Sequence, residues 1–307
     1  MYFKTNRWLL GVITVFLVPA CNKDDNPAAT AQGVAAPTSL RAYSAGAASV
    51  GLRWDLSASE SDPSFNDYIV KAKLQNDSVV GLVHVSKGNP QALVNGLVEG
   101  VIYTFVVRST DTGGAQSSDS ASVRWSPARR YTSDSLNGPP IQVYEFNSTS
   151  GASGLQFNSS GGYARTRSLS ISNPDRFLCD IYLASSPTLS LRNIATPPIS
   201  YPKNTFFSSL SRSAASLDDP QLSPPDSSTY INNLVDIPLT ATAQGMVFYA
   251  YSSTDNKYVR ILVQRNPATG LLYNGSGTDR YVIIQLSYQN MPGNPYARRH
   301  RVAAAGQ

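Results

Sequence analysis

Apolar residues in this 307-residue chain recur at every second position, in short runs broken by turn residues. Val50, Leu52 and Trp54 alternate with Gly51, Arg53 and Asp55. Tyr68, Val70, Ala72 and Leu74 are spaced by Lys71 and Lys73, and Val259, Ile261 and Val263 by Arg260 and Leu262. A period of two places alternate side chains on opposite faces of an extended strand, so each run reads as a strand with one face in a core. Composition closes the helical alternative. Only three residues are Glu (Glu60, Glu99 and Glu145), charged residues make up 15%, and Gly (21) and Pro (20) are plentiful. Surface helices draw on Glu, Lys and Ala, whereas this balance suits strands joined by turns. The expected fold class is all-β, and the length suggests about two domains at roughly 150 residues each. At 41% hydrophobic the chain is too apolar for a disordered one.

The first twenty residues stand apart. Lys4 and Arg7 precede an apolar run from Trp8 to Val18. Eleven residues fall short of the about 20 needed to span a bilayer and fit the core of a secretory signal. The run ends in Leu17-Val18-Pro19-Ala20-Cys21, which resembles the lipobox of bacterial lipoproteins, with Pro19 a less usual residue there. The resemblance implies cleavage before Cys21 and acylation of that residue. The lipid bilayer is then the first partner, and anchoring requires more than one acyl chain at about 0.8 kcal/mol per buried methylene. Asn22-Lys23-Asp24-Asp25 looks like the export signal that sends some lipoproteins to the outer surface of the cell. The expected location is the bacterial outer membrane, facing outward.

With Cys21 lipidated, Cys179 is alone and no internal disulfide can form. Phe177, Cys179, Ile181 and Leu183 are expected on one strand face, with Cys179 a buried, unreactive thiol because no His or Lys flanks it.

Residues 21–34 read as a flexible linker and 35–127 as a first domain of about seven short strands, the pattern of a β-sandwich. Pro37-x-x-Leu40, Trp54, Tyr68 and Leu97-Val98-Glu99-Gly100-Val101-Ile102-Tyr103 fall in the order of a fibronectin type III domain, which this segment resembles. The last motif is similar to that family's tyrosine corner, in which the Tyr hydroxyl bonds to nearby backbone. The resemblance makes Trp54, Tyr68, Leu97 and Tyr103 fold markers and implies a spacer or binding module without catalysis. His84 is expected on an outer strand, exposed.

Residues 128–297 read as a second antiparallel β domain with long loops, and 298–307 as a basic, disordered tail. Strands are expected at Ile141 to Phe146, Tyr163 to Ile171, Phe177 to Leu183, Thr188 to Arg192, Met246 to Tyr251, Lys257 to Gln264 and Arg280 to Tyr288. The last three form a meander. Ser185 to Gln244 reads as mostly turn-like, with a short helix at Thr205 to Leu217. Thirteen of the 17 Tyr fall between Tyr131 and Tyr296, suggesting a tyrosine-presenting recognition surface.

Asp180-Ile181-Tyr182-Leu183, Gly245-Met246-Val247-Phe248-Tyr249, Asp255-Asn256-Lys257-Tyr258-Val259-Arg260-Ile261 and Leu286-Ser287-Tyr288-Gln289-Asn290-Met291-Pro292-Gly293-Asn294-Pro295 together resemble the HmuY-type haem-binding lipoproteins. That resemblance implies an all-β haem-capturing domain. Its haem-binding members hold iron through paired His or, in some, through Met. Here His84 and His300 both lie outside the second domain, so Met246 and Met291 are the haem-ligand candidates left by the resemblance.

Other chemistries lack their residues. Zinc requires clustered Cys or His. No Gly-x-Ser-x-Gly, His-Glu-x-x-His or phosphate-loop motif occurs. Asp218-Asp219 reads as a turn, and Glu145 and Asp180 are the remaining acids conceivable for glycoside hydrolysis. No catalytic or metal site is expected, nor a resident cofactor unless haem is bound, and the chain reads as a non-enzymatic binding protein. Its surface ligand would be a glycan, a protein or a small hydrophobic molecule, the alternative being capture of haem or a similar molecule by the second domain. The formal charge of +5 does not point to nucleic acid. Without Lys4 and Arg7 there are 23 bases against 20 acids, and without Arg298, Arg299 and Arg301 the two are equal. The folded body lacks the clustered basic face that nucleic acid requires.

Overall fold

The computed structural model describes residues 33–135, 137–185, 189–196, 199, 201–208, 212–218, 230, 236–239 and 241–294. The lipobox with Cys21, the linker up to residue 32 and the basic tail lie outside the described residues.

The first half is a sandwich of β1 (Thr38–Gly46), β2 (Ser49–Asp55), β3 (Phe65–Lys73), β4 (Val79–Ser86), β5 (Gln91–Val94), β6 (Tyr103–Asp111) and β7 (Val123–Trp125). One sheet has the order β1-β2-β5 and the other β4-β3-β6-β7, all neighbours antiparallel. Alternation sets the core: Val50, Leu52 and Trp54 from one sheet meet Tyr68, Val70, Ala72, Phe105 and Val107 from the other. Trp54 and Tyr68 pack edge to face, with ring centroids 5.4 Å apart. Burying side chains of this size contributes roughly 1.5–3 kcal/mol each.

The second half is another pair of sheets. It comprises β8 (Arg129–Tyr131), β9 (Ile141–Tyr144), β10 (Gly154–Gln156), β11 (Arg165–Arg167), β12 (Ile181–Ala184), β13 (Ser190–Asn193), β14 (Thr205–Phe207), β15 (Arg212–Ala214), β16 (Asp236–Pro238), β17 (Gly245–Ser252), β18 (Lys257–Val263) and β19 (Tyr281–Tyr288). The meander β17-β18-β19 forms the centre of one sheet. Each outer edge of that meander is covered by two short strands: β14 and β15 along β17, β8 and β9 along β19. Such pieces satisfy edge N–H and C=O groups that would otherwise be open to pairing with another chain. The facing sheet has the order β11-β10-β12-β13-β16. Between them lie Leu155, Ile181, Leu183 and Leu191 from one side and Phe248, Val259, Ile261, Val263, Val282, Ile284 and Leu286 from the other.

Two expectations are corrected. The segment Thr205 to Leu217 carries strands β14 and β15 in place of a helix, because the free edge of β17 offers backbone partners to both. The strand expected at Thr188 to Arg192 is β13, and β16 adds a further short strand in the stretch expected as mostly turns. Phe177 does not share the face of Cys179: it lies in a short 3-10 helix, Pro174–Leu178, and is 42% exposed. Asn173 caps that helix by accepting the N–H of Asp175, and Pro174 at its start favours the turn over a continued strand.

The joint between the two sandwiches is buried. Ser126 and Ala128 have no exposed surface. Gln289 Nε2 donates to Pro127 O at 3.3 Å, and Arg129 Nε pairs with Glu99 Oε2 at 3.0 Å.

Candidate functional site

At one end of the second sandwich the loops leave an open groove of about 540 Å³. Phe146 and Ser148 enter it from the end of β9, Gly151 and Ser153 from the approach to β10, and Ser168 to Ile171 from the end of β11. Arg176 comes from the 3-10 helix, and Ile199 and Tyr201 from the segment between β13 and β14. Leu169, Cys179, Tyr182 and Ile194 form a small core, with Phe146, Ile199 and Tyr201 packed against it. The groove thus has an apolar floor and walls carrying hydroxyls.

Local bonds hold the loops. Asn173 Nδ2 donates to Ser168 O at 2.6 Å, Tyr201 N–H to Ile194 O at 3.0 Å, and Tyr201 Oη to Leu169 O at 3.4 Å. Arg176 reaches back over this loop: its Nη1 donates to Ile171 O at 2.7 Å and to Asn173 O at 2.8 Å. Its guanidinium carbon lies 4.1 Å from the Phe177 ring centroid and 5.8 Å from that of Tyr201. The Arg176 Nε is buried with no hydrogen-bond partner among the described residues. Asp175, the adjacent acid, pairs with Arg167. Arg176 is therefore a positioned cation that makes no ion pair with a carboxylate among the described residues. Ile171, Phe177 and Leu178 extend the rim as exposed apolar side chains at 87%, 42% and 40%.

A buried ionic cluster lies close by in sequence. Asp180, 1% exposed, accepts Phe157 N–H at 2.8 Å and Lys203 Nζ at 3.0 Å. Lys203 also reaches Asp255 Oδ2 at 3.0 Å. Burial works against the ammonium, but the carboxylates of Asp180 and Asp255 outweigh it and hold the Lys203 pKa above its ordinary value. Glu145 is likewise engaged, accepting Arg280 Nη2 at 2.8 Å. Neither acid stands free for proton transfer. Among the described residues no group of three or more His, Cys, Asp or Glu is placed to hold a metal ion.

The residues singled out from sequence fall as follows. Trp54, Tyr68, Leu97 and Tyr103 are all in the first core. The Tyr103 hydroxyl accepts Val98 N–H at 2.9 Å. The Tyr68 hydroxyl donates to Glu60 and accepts Ser57 N–H at 3.0 Å, and burial pushes its pKa up. His84 lies on β4 with its side chain 58% exposed, Nδ1 2.7 Å from Asp67 Oδ2. Cys179 is fully buried, and burial, with the neighbouring Asp180 carboxylate, pushes its thiol up to about 12. Cys21 lies outside the described residues.

Met246 is 1% exposed in the second core, whereas Met291 is 49% exposed in a turn beside Gly100 of the first sandwich. A haem iron needs axial ligands aimed into a shared cavity. One thioether packed in a core and another against a different loop do not fit that group, and neither lines the groove.

The tyrosines also differ from expectation. Every described tyrosine of the second sandwich is buried or half-buried, and Tyr131, Tyr182, Tyr249 and Tyr288 belong to its interior. Tyr201 is the one lining the groove. Arg176 was not singled out from sequence. The Asn173-Pro174 helix start was a readable signal, but the approach of Tyr201 to Arg176 is tertiary.

A second surface lies on the outer face of β4-β3-β6. Val80 and Leu82 are 50% and 54% exposed there, with Lys71 opposite Leu82 in register.

Comparisons with known proteins bear on the first sandwich. Similar solved structures include a myokine structure, at 18% identity and TM-score 0.27, covering 31% of this chain and 99% of that one. An Fn3-like protein from Clostridium thermocellum matches at 21% identity and TM-score 0.25, covering 30% and 91%. The FN5 domain of Drosophila Lar matches at 18% identity and TM-score 0.25, covering 31% and 96%. No curated protein matches the chain. Residues 35–124 match the model of the fibronectin type III domain, a class of mainly non-catalytic interaction modules.

Proposed function

We propose that this chain is a lipid-anchored bacterial envelope protein that binds a ligand without transforming it. In this reading, acylated Cys21 holds the protein on the outer membrane, facing outward. The first sandwich acts as a spacer, and the groove of the second is the recognition site. The observation that carries the reading is Arg176: a cation that lines the groove, positioned over Phe177, and makes no ion pair with a carboxylate among the described residues. A ligand group, in place of a neighbouring acid, is its natural counterpart. The exposed Ile171, Phe177 and Leu178 beside it suit contact with a larger partner, since apolar residues clustered at a polar rim mark interaction surfaces.

Anchoring and recognition are tested separately. Labelled palmitate should enter the wild-type chain and not a Cys21→Ser variant, and protease added to whole cells should remove the protein. Immobilised residues 22–307, presented to surface extracts and a glycan array, should retain a specific ligand, and retention should weaken in Arg176→Gln. Retention of nothing by either route overturns the binding reading. A saturable Soret shift on haem titration would instead favour haem capture.

A further inference from the structure

We propose that the groove recognises an acidic saccharide, with Arg176 taking its carboxylate or sulfate group. This assignment rests on the binding reading above and gives it a ligand class. Arg176 supplies the charge: both bonds that it makes to the chain leave from Nη1 and its Nε is buried, so Nη2 is the group left to meet an oxyanion. Nη2 can give such a group a charge-assisted bond, and the Phe177 ring beneath the guanidinium holds it in place before the ligand arrives.

The remainder of the groove suits a polyol better than a peptide. Ser148, Ser153, Ser168 and Ser170 line it. Their own bonds leave acceptor capacity: Ser153 Oγ donates to Glu145 O, and Ser168 Oγ accepts Ser170 N–H. Sugar hydroxyls can fill those lone pairs, because each hydroxyl oxygen offers two acceptor sites. Tyr201 and Phe146 give flat apolar surface for the C–H face of a sugar ring. Charge complementarity sets the ligand's sign, since Arg176 is the only charged residue lining the groove among the described residues.

The test is calorimetric titration of the detergent-solubilised full chain with oligogalacturonate, a heparin-derived oligosaccharide, neutral dextran and an oligoglutamate peptide. The first two distinguish carboxylate from sulfate as the source of the oxyanion. Binding of at least one of them is expected, with dextran at least about tenfold weaker for want of the charge-assisted contact, and oligoglutamate about tenfold weaker for want of the ring hydroxyls that the serines would meet. Arg176→Gln should weaken that binding about tenfold or more. Ser170→Glu, which puts a carboxylate on the exposed wall without touching the core, should do the same at unchanged melting temperature. Arg165→Gln, an exposed arginine of β11 that does not line the groove, should leave it unaltered. Equal binding of dextran or oligoglutamate overturns the assignment, as does failure of both acidic saccharides to bind. Insensitivity to Ser170→Glu also overturns it. If the acidic saccharides fail while surface extracts still yield an Arg176-dependent ligand, only the saccharide class falls and the groove stays the binding site.

Discussion

The side-chain amide of Asn294 donates to the backbone carbonyl of Gly100 at 3.1 Å, joining the end of the second sandwich to a loop of the first. The same amide reaches Ser126 Oγ at 3.3 Å, so one side chain ties together the two sandwiches and the segment that links them. Gly100 has a φ of +83°, and a Cβ at that position would overlap Met291. Both features restrict the position to glycine.

Removing the amide should loosen the joint. Asn294→Ala should lower stability by about 1–3 kcal/mol, the usual cost of leaving a buried polar group unsatisfied. Hydrogen exchange should rise at residues 98–101 and 126–129 and stay unchanged in β17 and β18. Uniform exchange across both regions would mean that Asn294 does not hold the joint.

Tyr103→Phe removes the acceptor for Val98 N–H while retaining the ring in the core. A loss of about 0.5–1.5 kcal/mol is expected for one such bond. Chemical denaturation with an unchanged slope would report it. A neutral result would show that the corner bond adds nothing to the packing of the ring.

The ionic cluster predicts a loss of stability at alkaline pH. The folded-state pKa of Lys203 is raised above its unfolded value, so the contribution of its ion pairs is fully present below the unfolded value of 10.5 and fades as pH rises through the folded one. Lys203→Met should flatten that alkaline limb. It should also destabilise the protein at neutral pH, where Asp180 would be left buried without its cation. An alkaline limb identical in the variant would contradict this role.

Cys179 should resist thiol reagents in the native protein. Its side chain is fully buried and burial holds the thiol at about 12, so little thiolate exists at pH 8. Maleimide labelling followed by peptide mapping should find Cys179 unmodified when folded and fully modified in denaturant. Rapid native labelling would mean that the small core beneath the groove opens readily.

The strands of both cores were legible wherever alternation was long and one-sided. Val259, Ile261 and Val263 point into the second core, and Val50, Leu52 and Trp54 into the first. Period-two patterning is a local signal, so β17, β18 and β19 could be read without knowing their partners. β14 and β15 could not. Each has three residues and exists because β17 presents an open edge, a long-range condition with no local trace. Phe177 misled for a related reason. Its alternation with Cys179 and Ile181 continues a strand pattern, but Asn173-Pro174 starts a 3-10 turn that rotates it outward. The scarcity of Glu acquired a meaning only in three dimensions: Glu60 bonds to Tyr68, Glu99 to Arg129 and Glu145 to Arg280. The groove was invisible in sequence because Ser148, Arg176 and Tyr201 come from separate connections between strands that only the folded sheets bring to one end.

The central claim is that recognition takes place at this groove and not on the outer face of the first sandwich. Hydrogen exchange of residues 22–307, with and without ligand retained from surface extracts, tests it most directly. Protection at residues 146–153 and 168–178, with β3 and β4 unchanged, is the predicted result. Protection confined to β3 and β4, with the groove unchanged, would contradict it.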